Sequence, residues 1–388
     1  MVSLTFRIMN VSSSLLLIFS ILLIAIANPG AKAEPIRPKI VLLGYFETSR
    51  AYGAKGYWGE AEKPGELYFW IEGYQLTRRI PVDGAFSEAW ANAEGSIIAL
   101  KIGPNSLHPA VNVTALGLDR KFDLSHSYWL ISGIAGTSPV TGTIGDIVWT
   151  DFVVNGDVAH EIDAREIPAD WPSGYFPAGK TRPAPQPRVA AGSEEDVRTW
   201  PGEFHQNRSR TITQLNLQLT QWAYVLTKDL TLQNTGAMRK FRHEYTFVAA
   251  RAESAVSIGA TLSAETFWLG AKLDEWARQW VEYMTDGKGH FRTTETNDAG
   301  TMVAIAALAQ TGRVDPNRVL LLRGASNFDL PPAGTPASEQ LLREGPQAFV
   351  GYLPALEGIH QVGSKVVDDL IAHWSKYENV LPREQPTP

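Results

Sequence analysis

The chain has 388 residues, enough to bury the core of one large α/β domain or of two smaller ones. A formal net charge of −6 does not suit a binder of nucleic acid or of an anionic membrane. The absence of cysteine excludes disulfides, thiolate metal sites and cysteine nucleophiles, so stability has to come from burial of apolar side chains.

Residues 1–33 hold Arg7, an apolar run over 15–27 and Ala31-Lys32-Ala33 immediately before Glu34. A basic start, a short apolar core and small residues at −3 and −1 predict a secretory signal cleaved after Ala33. The run is shorter than the roughly 20 residues of a bilayer span, which makes a permanent anchor the lesser alternative. Cleavage removes Arg7 and Lys32 and no acid, taking the charge from −6 to −8. The expected product is a single domain over 34–388 in a bacterial periplasm, with no stable insertion in the membrane and no nucleic-acid partner.

From residue 38 onward short apolar runs alternate with helical periods. Residues 39–44, 67–72, 97–102, 128–133, 146–154, 255–262 and 319–323 read as strands. Residues 105–118, 211–227, 270–284, 298–311 and 364–377 read as helices. Interleaved strands and helices imply a sheet covered on both faces. Two stretches break the rhythm. Residues 48–66 place Tyr52, Tyr57 and Trp58 among glycines, and residues 168–192 carry six prolines, a surface excursion that suits a linker or a lid equally.

The most informative stretch is 127–155, SYWLISGIAGTSPVTGTIGDIVWTDFVVN. A strand delivers Gly133, Ala135 and Gly136 at its end, where bare backbone can lie close to a flat ligand, and a second strand follows the turn Gly145-Asp146.

Gly133-Ile134-Ala135-Gly136 followed by Gly145-Asp146-Ile147-Val148 resembles the central signature of the nucleoside phosphorylase and nucleosidase superfamily. The longer run GIAGTSPVTGTIGDI, with EIDAREIPADWPSGYFP at 161–177, is similar to the purine nucleoside permease branch of that superfamily. TTETNDAGT at 293–301 and LLLRGASNFDLP at 320–331 sit where the family carries its ribose and base motifs. The match spans nearly all of 38–331. It implies a three-layer, phosphorylase-like α/β fold, with a central mixed sheet flanked by helices, and a purine nucleoside as ligand.

Cleavage of an N-ribosidic bond needs a group facing the leaving purine, a grip on the sugar hydroxyls and a nucleophile on the opposite face of the ribosyl centre. By resemblance the purine-facing residue is Asn327, whose neutral amide implies 6-oxopurines ahead of adenosine. The sugar grip is Asp298, where the superfamily usually has glutamate, with Asn297 and Glu295 alongside; an N-cap would also explain an acid at this position. Ser263 and Phe267, with Trp268 as an alternative ring, match the stacking segment. Arg323 joins this substrate-binding set, together with Gly133, Ala135 and Gly136.

The loop after the first strand offers Glu47, like the water-activating carboxylate of hydrolytic nucleosidases, and Arg50, like the phosphate-holding arginine of phosphorolytic ones. Hydrolysis and phosphorolysis therefore stay open. Lys101, Arg165, Arg323 and the turn Gly103-Pro104-Asn105-Ser106 are further candidates for phosphate.

His108, His126, His160 and His290 show no ligand spacing, so no metal is expected, nor any cofactor beyond inorganic phosphate as a co-substrate. Walker, GxGxxG and GxSxG patterns are absent. A homo-oligomer is compatible with the sequence. The competing reading is a soluble nucleoside receptor that supports uptake and uses the same pocket only for binding.

Overall fold

Strand β1 (Ile40–Gly44) shows how the core is built. Ile40 and Leu42 enter one apolar cluster while Val41 and Leu43 enter another, so both faces of the strand are buried. The computed structural model describes residues 34–46, 64–177, 183, 212–343 and 349–383. The chain divides into two units, Met1–Pro35 and Ile36–Pro388, and all the secondary structure described belongs to the second. The expected signal segment, Glu47, Arg50, Tyr52, Tyr57 and Trp58 lie outside the described residues.

The other strands are β2 (Arg78–Ile80), β3 (Ala89–Ala91), β4 (Ile97–Lys101), β5 (Tyr128–Thr137), β6 (Ile147–Asn155), β7 (Ala159–Glu161), β8 (Tyr175–Pro177), β9 (Ile212–Gln214), β10 (Val256–Ser263), β11 (Phe291–Glu295) and β12 (Val319–Phe328). The main sheet has the order β11-β10-β6-β12-β5-β1-β4-β3-β2, with β9 on β6; β7 and β8 pair separately. It is mixed: β1 runs parallel to β4 and β5, β5 to β12 and β10 to β6 and β11, whereas β12 is antiparallel to β6. An antiparallel bridge between Thr294 and Gly136 joins β11 back to β5. It closes β11, β10, β6, β12 and β5 into a ring.

The helices are α1 (Tyr68–Gly73), α2 (Leu107–Leu118), α3 (Leu217–Thr227), α4 (Gly236–Arg242), α5 (Val248–Arg251), α6 (Ala271–Met284), α7 (Asp298–Gln310), α8 (Ala337–Arg343), α9 (Tyr352–Ala372) and α10 (Trp374–Tyr377). One face of the sheet is covered by α2 and α7 through Val113, Leu116, Met302, Ile305 and Leu308. The other is covered by α1, α3 and α9 through Trp70, Leu219, Trp222, Ile359 and Val362. Each such side chain, fully buried, contributes about 1.5–3 kcal/mol of transfer free energy. This is the three-layer arrangement that the alternating pattern implied. Among the described residues no helix is long and apolar enough to cross a membrane.

Several local expectations need correcting. Residues 67–72 are helical, not a strand: Leu67, Trp70 and Ile71 are buried at spacings of three and four, and that period outweighs the β propensity of the aromatic run. The helix expected over 211–227 opens as β9. Its helical part starts only at Leu217, where the Asn216 side chain accepts from the amides of Gln218 and Leu219. Helix α9 begins well before 364, because Pro354 lies in its first turn, where a missing N–H costs nothing, while Gly358 and Gly363 let it approach Ile147 and Trp70. The described part of the proline-rich stretch includes β8.

Candidate functional site

Strands β5 and β12 bring two of the sequence motifs side by side. Arg323 pairs with Gly133, Ala325 with Ala135 and Asn327 with Gly136, after a register shift between Ala325 and Asn327. On the other side of the ring Ser263 pairs with Glu295, and α7 starts immediately beyond at Asp298. The Ser263 hydroxyl accepts from the Ala299 amide at 2.9 Å, tying β10 to the first turn of α7. The bridge from Thr294 to Gly136 unites the two halves. Segments near 135, 263, 298 and 327 are therefore neighbours around the ring.

The centre of this region is ionic and buried. Arg323, 1% exposed, donates from Nε to Asp298 Oδ2 at 3.0 Å, from Nη2 to Asp298 Oδ1 and from Nη2 to Asn297 Oδ1 at 3.2 Å. Glu295 Oε2 lies 4.0 Å from Nη2 and accepts from the amides of Asn297 at 2.5 Å and Asp298 at 2.8 Å. Glu66 faces the same guanidinium from another side, and its oxygens accept from the amides of Tyr45 at 2.5 Å and Ile134 at 2.8 Å. A Cβ on Gly133 would overlap both Arg323 Nη1 and Glu66, whose Cδ lies 2.7 Å from that point. The glycine expected to admit a ligand thus makes room for these two charged side chains.

Three carboxylates act on one guanidinium, Asp298 and Glu295 within ion-pair distance and Glu66 through space. Burial pushes the Glu66 carboxyl up to about 7, against the pull of Arg323 and of its backbone donors. Burial, with the charge of Asp298, pushes Glu295 up to about 8 despite Arg323 and the two amides. Burial disfavours the Arg323 cation, yet Asp298 and Glu295 together outweigh it and raise its pKa. Glu295 Oε1 and Asn297 Nδ2 are buried and have no hydrogen-bond partner among the described residues. With the second lone pairs of Asp298 they form a set of acceptors and a donor suited to neighbouring hydroxyls.

Asn327 is 4% exposed, with Oδ1 accepting from the Ser326 hydroxyl at 2.8 Å and Nδ2 placed 3.4 Å from where a Gly136 Cβ would be. Phe328 packs on Phe241 and Tyr245, so Asn327 and Asp329 project from the opposite face of the chain. Burial and the neighbouring Asp274 raise the Asp329 carboxyl well above the usual range.

The turn at 103–106 uses left-handed backbone at Gly103 (φ 87°) and Asn105 (φ 61°). Its amides are engaged: Gly103 donates to the Tyr45 carbonyl at 3.0 Å, Asn105 to the Tyr45 hydroxyl at 3.3 Å and Ser106 to Glu265 Oε1 at 2.8 Å. A carboxylate thus occupies the place at the start of α2 where the sequence suggested phosphate. Lys101 ends β4 beside Gly44, half-buried. Arg165 pairs with Asp163 on the surface, away from the Arg323 cluster in bonding terms. Arg323, another phosphate candidate, has its guanidinium committed to Asp298 and Asn297.

The segment between β10 and α6 is pinned at three points: Ala264 N to Glu295 O, Glu265 N to Asp157 Oδ2 and Gly270 N to Asp329 O, each 2.9 Å. Phe267 on this strap is 53% exposed, while Trp268 packs into the core against Trp276 and Phe291. Of the two rings only Phe267 is available to a ligand. Glu66 and Glu265 were missed by sequence reasoning; Glu265 lies inside the stacking segment 263–267 without being singled out, and Glu66 stands in no recognisable pattern. The one signal was a charge balance, since a buried arginine in an apolar strand needs carboxylates around it.

Residues 37–382 match the family model described as purine nucleoside permease. A probable purine nucleoside permease of Schizosaccharomyces pombe is 26% identical over 292 residues, covering 75% of this chain and 80% of the relative. A purine nucleoside permease of Candida albicans is 25% identical over 318 residues, covering 80% and 73%. Among solved structures, a futalosine hydrolase of Helicobacter pylori is similar at 15% identity and a TM-score of 0.48, covering 86% of this chain and 98% of that one. A 5'-methylthioadenosine/S-adenosylhomocysteine nucleosidase of S. pneumoniae is similar at 13% identity and a TM-score of 0.47, covering 85% and 99%. The two sequence relatives are fungal and lend nothing to a bacterial periplasmic location.

Proposed function

The chain belongs to the purine nucleoside permease family, and on that premise we propose that it binds purine nucleosides, 6-oxopurines in preference, and cleaves their N-ribosidic bond. The observation that supports this reading is the bonding of Asp298 and Asn297 to Arg323, on the same strand that carries Asn327 beside Gly136. In it the sugar hydroxyls bond to Asp298, with Glu295 Oε1 and Asn297 Nδ2 completing the set. The purine lies beside Gly136, Asn327 and Phe267. The nucleophile is water activated by Glu47 or phosphate held by Arg50. No cofactor is required.

A second reading is favoured by Asn327 itself. An amide donates a hydrogen bond but cannot transfer a proton to a departing purine, which suits a nucleoside receptor that serves uptake. Incubating the protein with inosine, with and without phosphate, separates the readings. Ribose 1-phosphate indicates phosphorolysis and free ribose indicates hydrolysis; unchanged inosine with thermal stabilisation indicates binding alone. No effect of inosine on either product or melting temperature removes both readings. Asp298→Ala should weaken inosine binding by about 10-fold or more, the value of a charged hydrogen bond. Export with loss of residues 1–33 is part of this proposal, and N-terminal sequencing of the extracellular or periplasmic product tests it.

A further inference from the structure

Glu66 lies far from the sugar-grip motif in sequence and outside every motif that the sequence revealed, yet it is 3% exposed and its charge faces the same guanidinium across Gly133. Its two oxygens are divided between the amides of Tyr45, which leads toward Glu47, and Ile134, between the paired Gly133 and Ala135. Arg323 Nη1 and Glu66 Oε1 crowd the same point in front of the Gly133 α-carbon. The opposite edge of the guanidinium, Nε and Nη2, is given to Asp298 and Asn297.

We infer that Glu66 is a positioning residue for nucleoside binding: its negative charge competes with Asp298 for the field of Arg323, and so leaves the Asp298 lone pairs that the guanidinium fork does not use better able to accept the ligand's hydroxyls. This rests on the nucleoside reading of the site. The charged groups that face one another here are Glu66 from the segment before α1, Arg323 from β12, Glu295 from β11 and Asp298 from the start of α7. When Glu66 is neutral, the guanidinium field falls on Asp298 and Glu295 alone. Asp298 is then a poorer acceptor, because its lone pairs are held more tightly by the cation. When Glu66 is ionised, the cation is shared and Asp298 accepts hydroxyls better.

The sign follows directly. Glu66 is ionised above about 7 and protonated below it, so affinity is full on the alkaline side and falls as pH drops. If only the ionised form binds well, one group titrating there weakens affinity about 10-fold between pH 8 and pH 6.

The experiment is calorimetric titration of the full chain with inosine across that range. Wild type should show the step, Glu66→Gln should bind weakly with no step, and Glu66→Asp should restore it. Glu295→Gln should retain a step near neutrality whatever its overall affinity. Wild-type affinity that does not vary with pH overturns the inference even where a variant fails to fold. A step that persists in Glu66→Gln, or vanishes only in Glu295→Gln, also overturns it. Absence of inosine binding at every pH overturns the nucleoside reading itself, a result distinct from binding without pH dependence.

Discussion

Arg323 and Asp298 meet as a fork in the interior, Nε to Oδ2 at 3.0 Å and Nη2 to Oδ1, with side-chain exposures of 1% and 0%. The aspartate that the sequence offers as a sugar grip is therefore also the main counter-ion of a buried cation. Its orientation is fixed before any ligand arrives, since a bidentate pair allows little rotation. A ligand hydroxyl has to use the lone pairs that the guanidinium leaves.

Removing the cation should expose how strained this cluster is. Arg323→Leu leaves Glu66, Glu295 and Asp298 buried without an opposite charge, and loss of one partner of a buried pair costs about 3–5 kcal/mol. The carboxyls can escape by taking protons, so the loss should be smaller at pH 5.5 than at pH 8. Urea unfolding at the two values measures this. Equal losses would mean that the carboxylates do not depend on Arg323.

Gly133 should tolerate no larger residue. It needs no left-handed backbone, so the constraint is spatial: a methyl group there overlaps Arg323 Nη1 and Glu66. Gly133→Ala should destabilise by about 1–3 kcal/mol, as overpacking does, and should lower inosine affinity by displacing both charged groups. A variant with wild-type unfolding midpoint and affinity would show that the two side chains retreat freely.

The layers of the fold were legible because the buried strands read as short apolar runs; residues 39–44, 97–102 and 146–154 nearly coincide with β1, β4 and β6. The motifs around Asp298 and Asn327 were legible through family resemblance, and the register of β5 with β12 places them together. The role of Gly133 was not legible, because a glycine records that space is needed without recording what fills it. Glu66 left no trace for a related reason: its partners are backbone amides and one distant arginine, so no local spacing marks it. Helix α1 was misread since its aromatic side chains favour strands in isolation, and only packing on α9 reveals the helical period.

Stability should fall as pH rises through neutrality. A glutamate carboxyl starts from 4.5, whereas Glu66 is at about 7 and Glu295 at about 8 in the folded chain. Between those limits the folded state holds more protons than the unfolded one, so each step up in pH favours unfolding. The raised Asp151, at about 6, acts in the same direction. The melting temperature should drop by about 5 °C or more from pH 5.5 to pH 8. The slope should flatten in Glu66→Gln and in Glu295→Gln. A melting temperature that rises over this interval would contradict the assignment of buried, proton-holding carboxyls.

Asn327→Asp tests the base contact. The amide offers a neutral donor to the purine, whereas a carboxyl in the same place, 4% exposed, would be pushed upward by burial and is expected to carry a proton. A protonated acid can donate to the ring nitrogen of a 6-aminopurine and transfer that proton as the bond to the sugar breaks, which an amide cannot do. The ratio of inosine to adenosine affinity, and of turnover where turnover occurs, should therefore move toward adenosine by about 10-fold, the value of one hydrogen bond made or lost in a buried site. Because the surrounding backbone pairs Asn327 with Gly136, the substitution changes chemistry while shape is nearly conserved. An unaltered ratio would place the purine elsewhere than beside residue 327, while the hydroxyl-binding role of Asp298 would stand or fall on its own test.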